Sequence, residues 1–155
     1  MLDKPEITRS VAGPTAMIHL TIPREQMGSV MHPAITELMA TMAQQGIAPA
    51  GPMFTHHLRI EPEIFDFELS VPVTEPITAA GRVQPGYLPE TTVARTVYQG
   101  GYEGLGAAWK EFDTWLAANG HERAGNLWEC YVVGPDTNPD PTAWRTELNR
   151  PLVDH

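Results

Sequence analysis

Apolar side chains recur every three or four residues in two stretches of the chain, Met27–Met42 and Leu105–Leu116. This spacing is typical of a helix with one apolar side. We therefore predict two amphipathic helices, the first ending at Gly46 and the second covering about residues 102–119. Pro33 interrupts the first pattern, which predicts either a kink or a short turn before the main helix.

Strand patterns flank both predicted helices. We predict strands at residues 14–22, 53–60, 65–73, 91–98, 127–133 and 145–152, a further short strand around 81–85, and a surface loop at 134–142. Each half then reads strand, helix, strand, strand. This order predicts an α+β fold in which a largely antiparallel sheet carries two main helices on one face.

The second half of the chain repeats the first. The pattern Gly-x-x-x-Ala-Gly at Gly46–Gly51 returns 74 residues later at Gly120–Gly125, and Asp66–Val73 matches Arg145–Leu152. We predict one domain over residues 1–155 that contains an internal repeat, at about 7–77 and 81–152. The seam between two such modules is a natural place for a ligand groove.

Composition narrows the functional classes. The net charge of −9 argues against a phosphate-binding surface, so we expect no direct nucleic-acid partner. No apolar run is long enough to cross a bilayer, and the first residues lack a signal-peptide pattern. The single cysteine, Cys130, suits a reducing compartment. We expect a cytoplasmic protein with no membrane partner.

Strand alternation suggests which side chains share a face. We predict that Trp128 and Cys130 face the helices. The opposite, open face would carry two carboxylates and a tyrosine in the second repeat, with a threonine and a histidine at the matching places of the first: Glu129, Glu147, Tyr131, Thr55 and His57. A carboxylate beside rings can hold an organic cation or act as a general base. The alternative, that both glutamates are solvated strand residues, stays open here.

Other candidate chemistry is less well supported. His56 and His57 are neighbours on a strand and face opposite ways, and no pair of cysteines or His-x-x-x-His motif exists, so we predict no metal site and no cofactor. Cys130 is interpreted as a small core residue rather than a nucleophile. Trp109 either lies in the core or exposes an edge to the cleft. Trp115 and Trp144 are interpreted as packing or surface residues.

The segment Gln-Gly-Gly-Tyr-Glu-Gly-Leu-Gly-Ala-Ala-Trp at 99–109 resembles a hallmark of GyrI-like small-molecule-binding domains, also called AraC-type effector-binding domains. There the stretch usually reads Gly-Pro-Tyr and then, a few residues on, Ala-Trp. Residues 50–54, 66–73, 88–89 and 145–152 also resemble the family, so the likeness covers roughly 7–152. One departure is Gly101, where proline is usual. The absence of proline leaves the turn looser.

The resemblance implies two SHS2-type modules that form a curved sheet, with a groove between the halves for bulky, often cationic, aromatic compounds. It further implies that Glu129, in the strand after the second helix, contacts the ligand, and that Tyr102 and Trp109 are the motif tyrosine and tryptophan. Together with the predicted open face, the ligand-binding candidates are Glu129, Glu147, Tyr131, Tyr102, Trp109 and His57.

Three functions remain under consideration. The first is a free-standing binding protein for lipophilic aromatic cations, of the multidrug type. The second is a hydrolase that adds water to strained, cyclopropane-bearing genotoxic compounds, with Glu129 as general base and Tyr131 or Tyr102 as proton donor. The third is a protein-binding module like the gyrase-inhibitory relative. The chain has no room for a helix-turn-helix, so a transcriptional role needs a separate regulator protein; a homodimer is the other partner considered.

Overall fold

The computed structural model describes residues 2–134 and 137–153, apart from the side chain of Ile60. In chain order the elements are β1 (Glu6–Arg9), β2 (Gly13–Pro23), α1 (Met27–Gln44), β3 (Phe54–Ile60), β4 (Ile64–Pro72), β5 (Gln84–Leu88), β6 (Thr92–Gln99), α2 (Leu105–Ala118), β7 (Leu127–Val133) and β8 (Arg145–Pro151). All the strand pairings described below are antiparallel. The predicted α+β class is confirmed.

The chain divides into two compact units. The central unit is Val11–Glu90, and the terminal unit combines the residues before and after it. Strands of the central unit run in the order β3-β4-β2-β5. Helix α1 buries Ala34, Leu38 and Met42 in a core with one face of these strands, because its apolar positions recur at helical spacing.

The terminal unit repeats this plan with strands in the order β1-β6-β8-β7. Helix α2 buries Ala108, Phe112 and Leu116 in a core that also contains Ala94 of β6 and Leu148 of β8. No helix within the described ranges has both the length and the apolarity to span a membrane.

Each unit takes its edge strand from the beginning of the other predicted repeat. Strand β1 precedes β2 in the chain but pairs with β6, and β5 precedes β6 but pairs with β2. The sequence pattern did not predict β1, and it placed β5 three residues too early. Both are short edge strands with little burial, so hydrophobic alternation marks them weakly.

Helix α1 is continuous through Pro33, so the helix is not divided at that residue. A single 3₁₀ turn, Arg24–Gln26, precedes it, and a matching turn at Tyr102–Gly104 precedes α2. Gly46 and Gly120 follow the two helices with φ of 67° and 76°, as expected for glycines that end helices.

The glycine-rich segment before α2 packs around one tyrosine. The Tyr98 hydroxyl donates to the carbonyl oxygen of Gly101 at 2.8 Å. A Cβ on Gly104 would collide with that hydroxyl. Gly101 itself has a φ of −71°, close to the value that proline would impose, so the backbone of this turn has a proline-like φ without proline.

We expect Gly104→Ala to destabilise the protein by about 1–3 kcal/mol, because Tyr98 must move and give up its bond to Gly101. Gly106→Ala is the matched control, since a Cβ there meets no atom within 4 Å. Unfolding in urea measures both. Adding Tyr98→Phe removes the colliding hydroxyl and should recover part of the loss; strictly additive effects of the two changes would contradict the proposed collision.

Candidate functional site

Glu129 lies in β7 on the side of the strand that faces α2. Its cross-strand neighbour is Leu148 of β8, which is fully buried in the core with α2. Directly opposed residues of antiparallel strands project to the same face. The Oε2 atom of Glu129 is buried, although the residue as a whole is only partly so. The carboxylate is thus held between β7 and the helix.

The prediction that Glu129 and Glu147 share one open face is wrong. Glu147 is paired with Cys130, the neighbour of Glu129, and therefore projects from the opposite face of the sheet. The sequence interpretation took Trp128 and Cys130 as the helix-facing set because they are apolar. Trp128 is buried at 2 % exposure on the face away from α2, so both faces of β7 are covered and alternation could not identify the core side.

Burial dominates the electrostatics of Glu129. Desolvation raises the pKa of its carboxyl from the ordinary 4.5 to about 7, and the indole N–H of Trp109 opposes this shift. Trp109 lies on α2, with its ring centroid 5.9 Å from that of Phe112. Trp109 therefore packs with a core ring and also lies close enough to the acid to affect its pKa. Near neutral pH, both protonation states of Glu129 are therefore populated.

Three aromatic rings form a row that begins on the face of β7 that carries Glu129. Tyr131 follows Glu129 by two residues in β7 and projects to the same face, since it pairs with Thr146. Its ring centroid is 5.8 Å from that of Tyr102, in the turn before α2. The Tyr102 ring is in turn 4.8 Å from Trp144. The structure thus brings Glu129, Tyr131, Tyr102 and Trp109 together in the terminal unit.

Sequence reasoning missed Trp144. It lies in the connection between β7 and β8, just before β8 begins, so no helical or strand periodicity marks it. Its indole N–H donates to the carbonyl oxygen of Asn138 at 2.7 Å. The available signal was the tight turn at Asp140–Thr142, which fixes the residues directly before Trp144.

Glu147 belongs to a separate polar cluster. Its Oε1 lies 3.3 Å from Nε of Arg95 and accepts from the side-chain amide of Asn149 at 3.1 Å. Arg95 also donates to Asn149 at 2.7 Å. The charge of Glu147 is therefore compensated within the chain. Next to it, burial first and then Glu147 raise the pKa of Cys130 to about 12, so this thiol stays protonated and is a poor nucleophile at neutral pH.

His57 lies in the central unit, where its 5 % exposure shows it to be buried. It pairs with Phe67 and stacks on that ring at 5.3 Å, so it faces α1 rather than the open face that the sequence predicted. Burial, then His56 and Arg24, lower the pKa of His57 to about 4. His57 is accordingly neutral at physiological pH. His56, its neighbour, is paired with Glu68 and projects from the other face.

Two surface clefts lie elsewhere. One, of about 220 Å³, is formed by residues 2–5 and α2; the other, of about 500 Å³, lies at residues 23–25 and 62–64. Glu129 lines neither of them. In the residues that the structure describes, no three His, Cys, Asp or Glu side chains are placed to hold a metal ion. The buried acid with its rings is the stronger candidate, because it combines an uncommon charge environment with aromatic surface.

Comparison with known proteins identifies the family. The model of the GyrI-like small molecule binding domain matches residues 4–152. The chain belongs to the GyrI-like family. Its small-molecule-binding fold agrees with the resemblance that the motif around Tyr102 indicated. Curated protein sequences give no match.

Solved structures of GyrI-like fold agree with this assignment. The EcmrR C-terminal domain is 18% identical with a TM-score of 0.86, covering 98% of each chain. A hydrolase from Listeria innocua is 13% identical with a TM-score of 0.69, and the match covers 97% of this chain and 92% of the hydrolase. SAV2435 bound to tetraphenylphosphonium is 9% identical with a TM-score of 0.69, and the match covers 97% of this chain and 94% of SAV2435. This chain spans 58% of EcmrR as it occurs in a DNA complex.

The raised pKa of Glu129 makes stability depend on pH. Because the folded pKa of about 7 exceeds the ordinary 4.5, the protonated acid stabilises the fold below about pH 4.5, and this contribution is lost as pH rises through 7. The loss is on the order of 3 kcal/mol. Glu129→Gln cannot ionise. We therefore expect the stability of the variant relative to the native protein to be higher at pH 9 than at pH 5. The difference in the free energy of unfolding, measured in urea, should change by about 2–3 kcal/mol.

Glu111→Gln on the exposed side of α2 is the control for removing one carboxyl group elsewhere in the protein. A stability difference between Glu129→Gln and the native protein that is the same at both pH values would show that the Glu129 carboxyl is not desolvated.

Proposed function

We propose that this GyrI-like domain binds lipophilic aromatic cations, with the Glu129 carboxylate as the negative charge. The observation that carries the proposal is a buried carboxylate oxygen, with a pKa near neutrality, beside a row of aromatic rings. A buried ionised acid is costly unless a positive charge lies near it. An organic cation meets that requirement without needing a hydrogen-bond donor.

The charge interaction is strong enough to drive recognition. Two unit charges about 4 Å apart attract by about 4 kcal/mol at an effective dielectric constant of about 20. A ring face contributes about 0.5–2 kcal/mol more toward a cation. Tyr102 and Tyr131 supply such faces, and Trp109 approaches the acid from the helix side. Cation binding then favours the ionised form of Glu129 and releases the proton held there.

Two fold neighbours support this proposal. SAV2435 was solved with tetraphenylphosphonium, a lipophilic aromatic cation, and the EcmrR domain belongs to a protein seen on DNA. For the present chain, both a cationic ligand and any regulatory role are part of the proposal. We assign the acidic contact to Glu129 alone, because Glu147 is already bound to Arg95. His57, neutral and buried in the central unit, has no part in it.

Titration with tetraphenylphosphonium, followed by calorimetry, tests the charge assignment. Glu129→Gln should weaken binding by about 10-fold to 100-fold, since it removes the one compensating charge. Glu147→Gln is the matched control on the opposite face and should change the affinity by less than about twofold. For the native protein, Kd should fall by about tenfold from pH 6 to pH 8, because the binding-competent form is ionised above the pKa of about 7.

A native protein that fails to bind this cation and other lipophilic aromatic cations would overturn the proposed function. Equal loss in the two glutamine variants would overturn the assignment of the charge to Glu129. A Kd that does not change with pH would show that proton release from Glu129 is not coupled to binding.

The raised pKa also favours a second function, a hydrolase acting on strained electrophilic rings. General acid–base catalysis is most efficient when the catalytic pKa lies near the working pH, and Glu129 meets this condition. Glu129 would take a proton from water while Tyr131 or Tyr102 donated one to the opening ring. The fold neighbour described as a hydrolase is consistent with this chemistry.

Incubation with a cyclopropane-bearing alkylating compound, followed by mass spectrometry, tests the hydrolase function. We expect a water adduct formed faster than in buffer, with a rate about 100-fold lower in Glu129→Gln and unchanged in Glu147→Gln. Adduct formation at the buffer rate, by a protein that still binds the compound, would leave binding as the function.

A further inference from the structure

We propose that Trp144 is a specificity-determining wall of the Glu129 site, and that it selects ligands with a flat, extended aromatic face. This inference rests on the proposed cation-binding function. Trp144 would recognise the shape of the ligand, whereas Glu129 would recognise its charge.

Trp144 is held in place from several sides. Its indole N–H donates to the carbonyl oxygen of Asn138 at 2.7 Å, and its own carbonyl oxygen accepts from the backbone N–H of Gly100 at 3.0 Å. Two residues earlier, the carbonyl oxygen of Thr142 accepts from the side chain of Gln99 at 3.1 Å. Since Gly100 lies directly before the turn that carries Tyr102, these bonds fasten Trp144 to the motif segment.

The rings form a continuous row that leads away from the acid. Tyr131 shares the face of Glu129, Tyr102 lies edge-on to Tyr131, and Trp144 lies against Tyr102 with an interplanar angle of 37°. Tyr131, Tyr102 and Trp144 are each only partly buried. The row therefore retains aromatic surface that a ligand can contact while its charge lies near Glu129.

Gly134, at the end of β7, fits the same arrangement. A Cβ at this position would lie 2.9 Å from the Tyr102 hydroxyl, so a larger residue would displace that end of the ring. Glycine at this position permits the close approach of the β7 end to the ring. Gly134 is thus a positioning residue, whereas Trp144 is a contact residue.

An indole ring offers the largest aromatic face and the strongest attraction for a cation. Because the intramolecular bonds already order Trp144, a ligand spends little free energy in fixing it. A planar aromatic cation gains both ring contact and charge compensation. A tetraalkylammonium ion carries the same charge but has no ring to stack, so it gains mainly the charge compensation by Glu129.

The experiment compares two cations on one set of variants. Rhodamine 6G is the planar probe and tetrabutylammonium the probe without rings, and calorimetry gives both Kd values. Trp144→Ala should weaken rhodamine binding by about 5-fold to 30-fold, while the affinity for tetrabutylammonium changes less than about twofold. Glu129→Gln should weaken both. Trp115→Ala is the matched control, since that indole stacks on His121 at 5.9 Å instead.

The outcomes separate the two levels of the proposal. If the native protein binds neither cation, the proposed function fails. If Glu129→Gln weakens both cations but Trp144→Ala binds rhodamine as tightly as the native protein, the role of Trp144 is overturned while the proposed function survives. Equal loss for both probes in Trp144→Ala would also overturn it, because that result indicates a merely structural residue.

Two further variants test the same proposal if Trp144→Ala does not fold. Trp144→Phe keeps a smaller ring and should recover part of the rhodamine affinity. Gly134→Ala keeps Trp144 but displaces Tyr102, and we expect a selective loss of about threefold or more for rhodamine. Thermal unfolding of each variant, followed by circular dichroism, establishes that it is folded. If both folded variants bind rhodamine with native affinity, the ring row does not select the ligand.

Discussion

The withdrawal of the Glu129 carboxylate from water is the constraint on which this site depends. In a half-solvated strand, the same glutamate would be ionised and screened, and its attraction for a cation would be small. Between β7 and α2, its pKa rises to about 7, and the ionised form needs a compensating charge. In the proposed function, burial therefore makes this one side chain both the group that recognises the cation and a group whose proton is released on binding.

Strand register, rather than residue type, decides which acids take part. Glu129 and Glu147 occupy neighbouring strands and look equivalent in the sequence. The pairing of Glu129 with Leu148 and of Cys130 with Glu147 sends them to opposite faces, where one meets a core and the other meets Arg95. A shift of β7 by one residue in the pairing would move Glu129 to the face that carries Glu147 and Arg95. The register thus gives the site a single acid.

Most helices and strands could be predicted from the sequence, but the face of the sheet to which some side chains project could not. Helical spacing and the repeat predicted α1, α2 and six of the strands to within one or two residues at most ends, because burial imposes periodicity on long elements. Strand alternation failed in β7, where Trp128 is buried on the face away from α2. It failed in β3 because His57, a polar residue, packs among phenylalanines on the α1 side. Trp144 was missed because it lies in a loop, where no helical or strand periodicity marks a residue.

The two units carry different side chains at matching places of β3 and β7. The positions of Glu129 and Tyr131 correspond to Thr55 and His57 in the central unit, and Thr55 pairs with Leu69 as Glu129 pairs with Leu148. Thr55 is fully buried and has no carboxylate, and His57 is held neutral. There the chain supplies its own cation, since the Arg24 guanidinium lies 4.4 Å from the centre of the Phe65 ring. An internal cation over a ring in one unit and an acid beside rings in the other are complementary uses of the same fold.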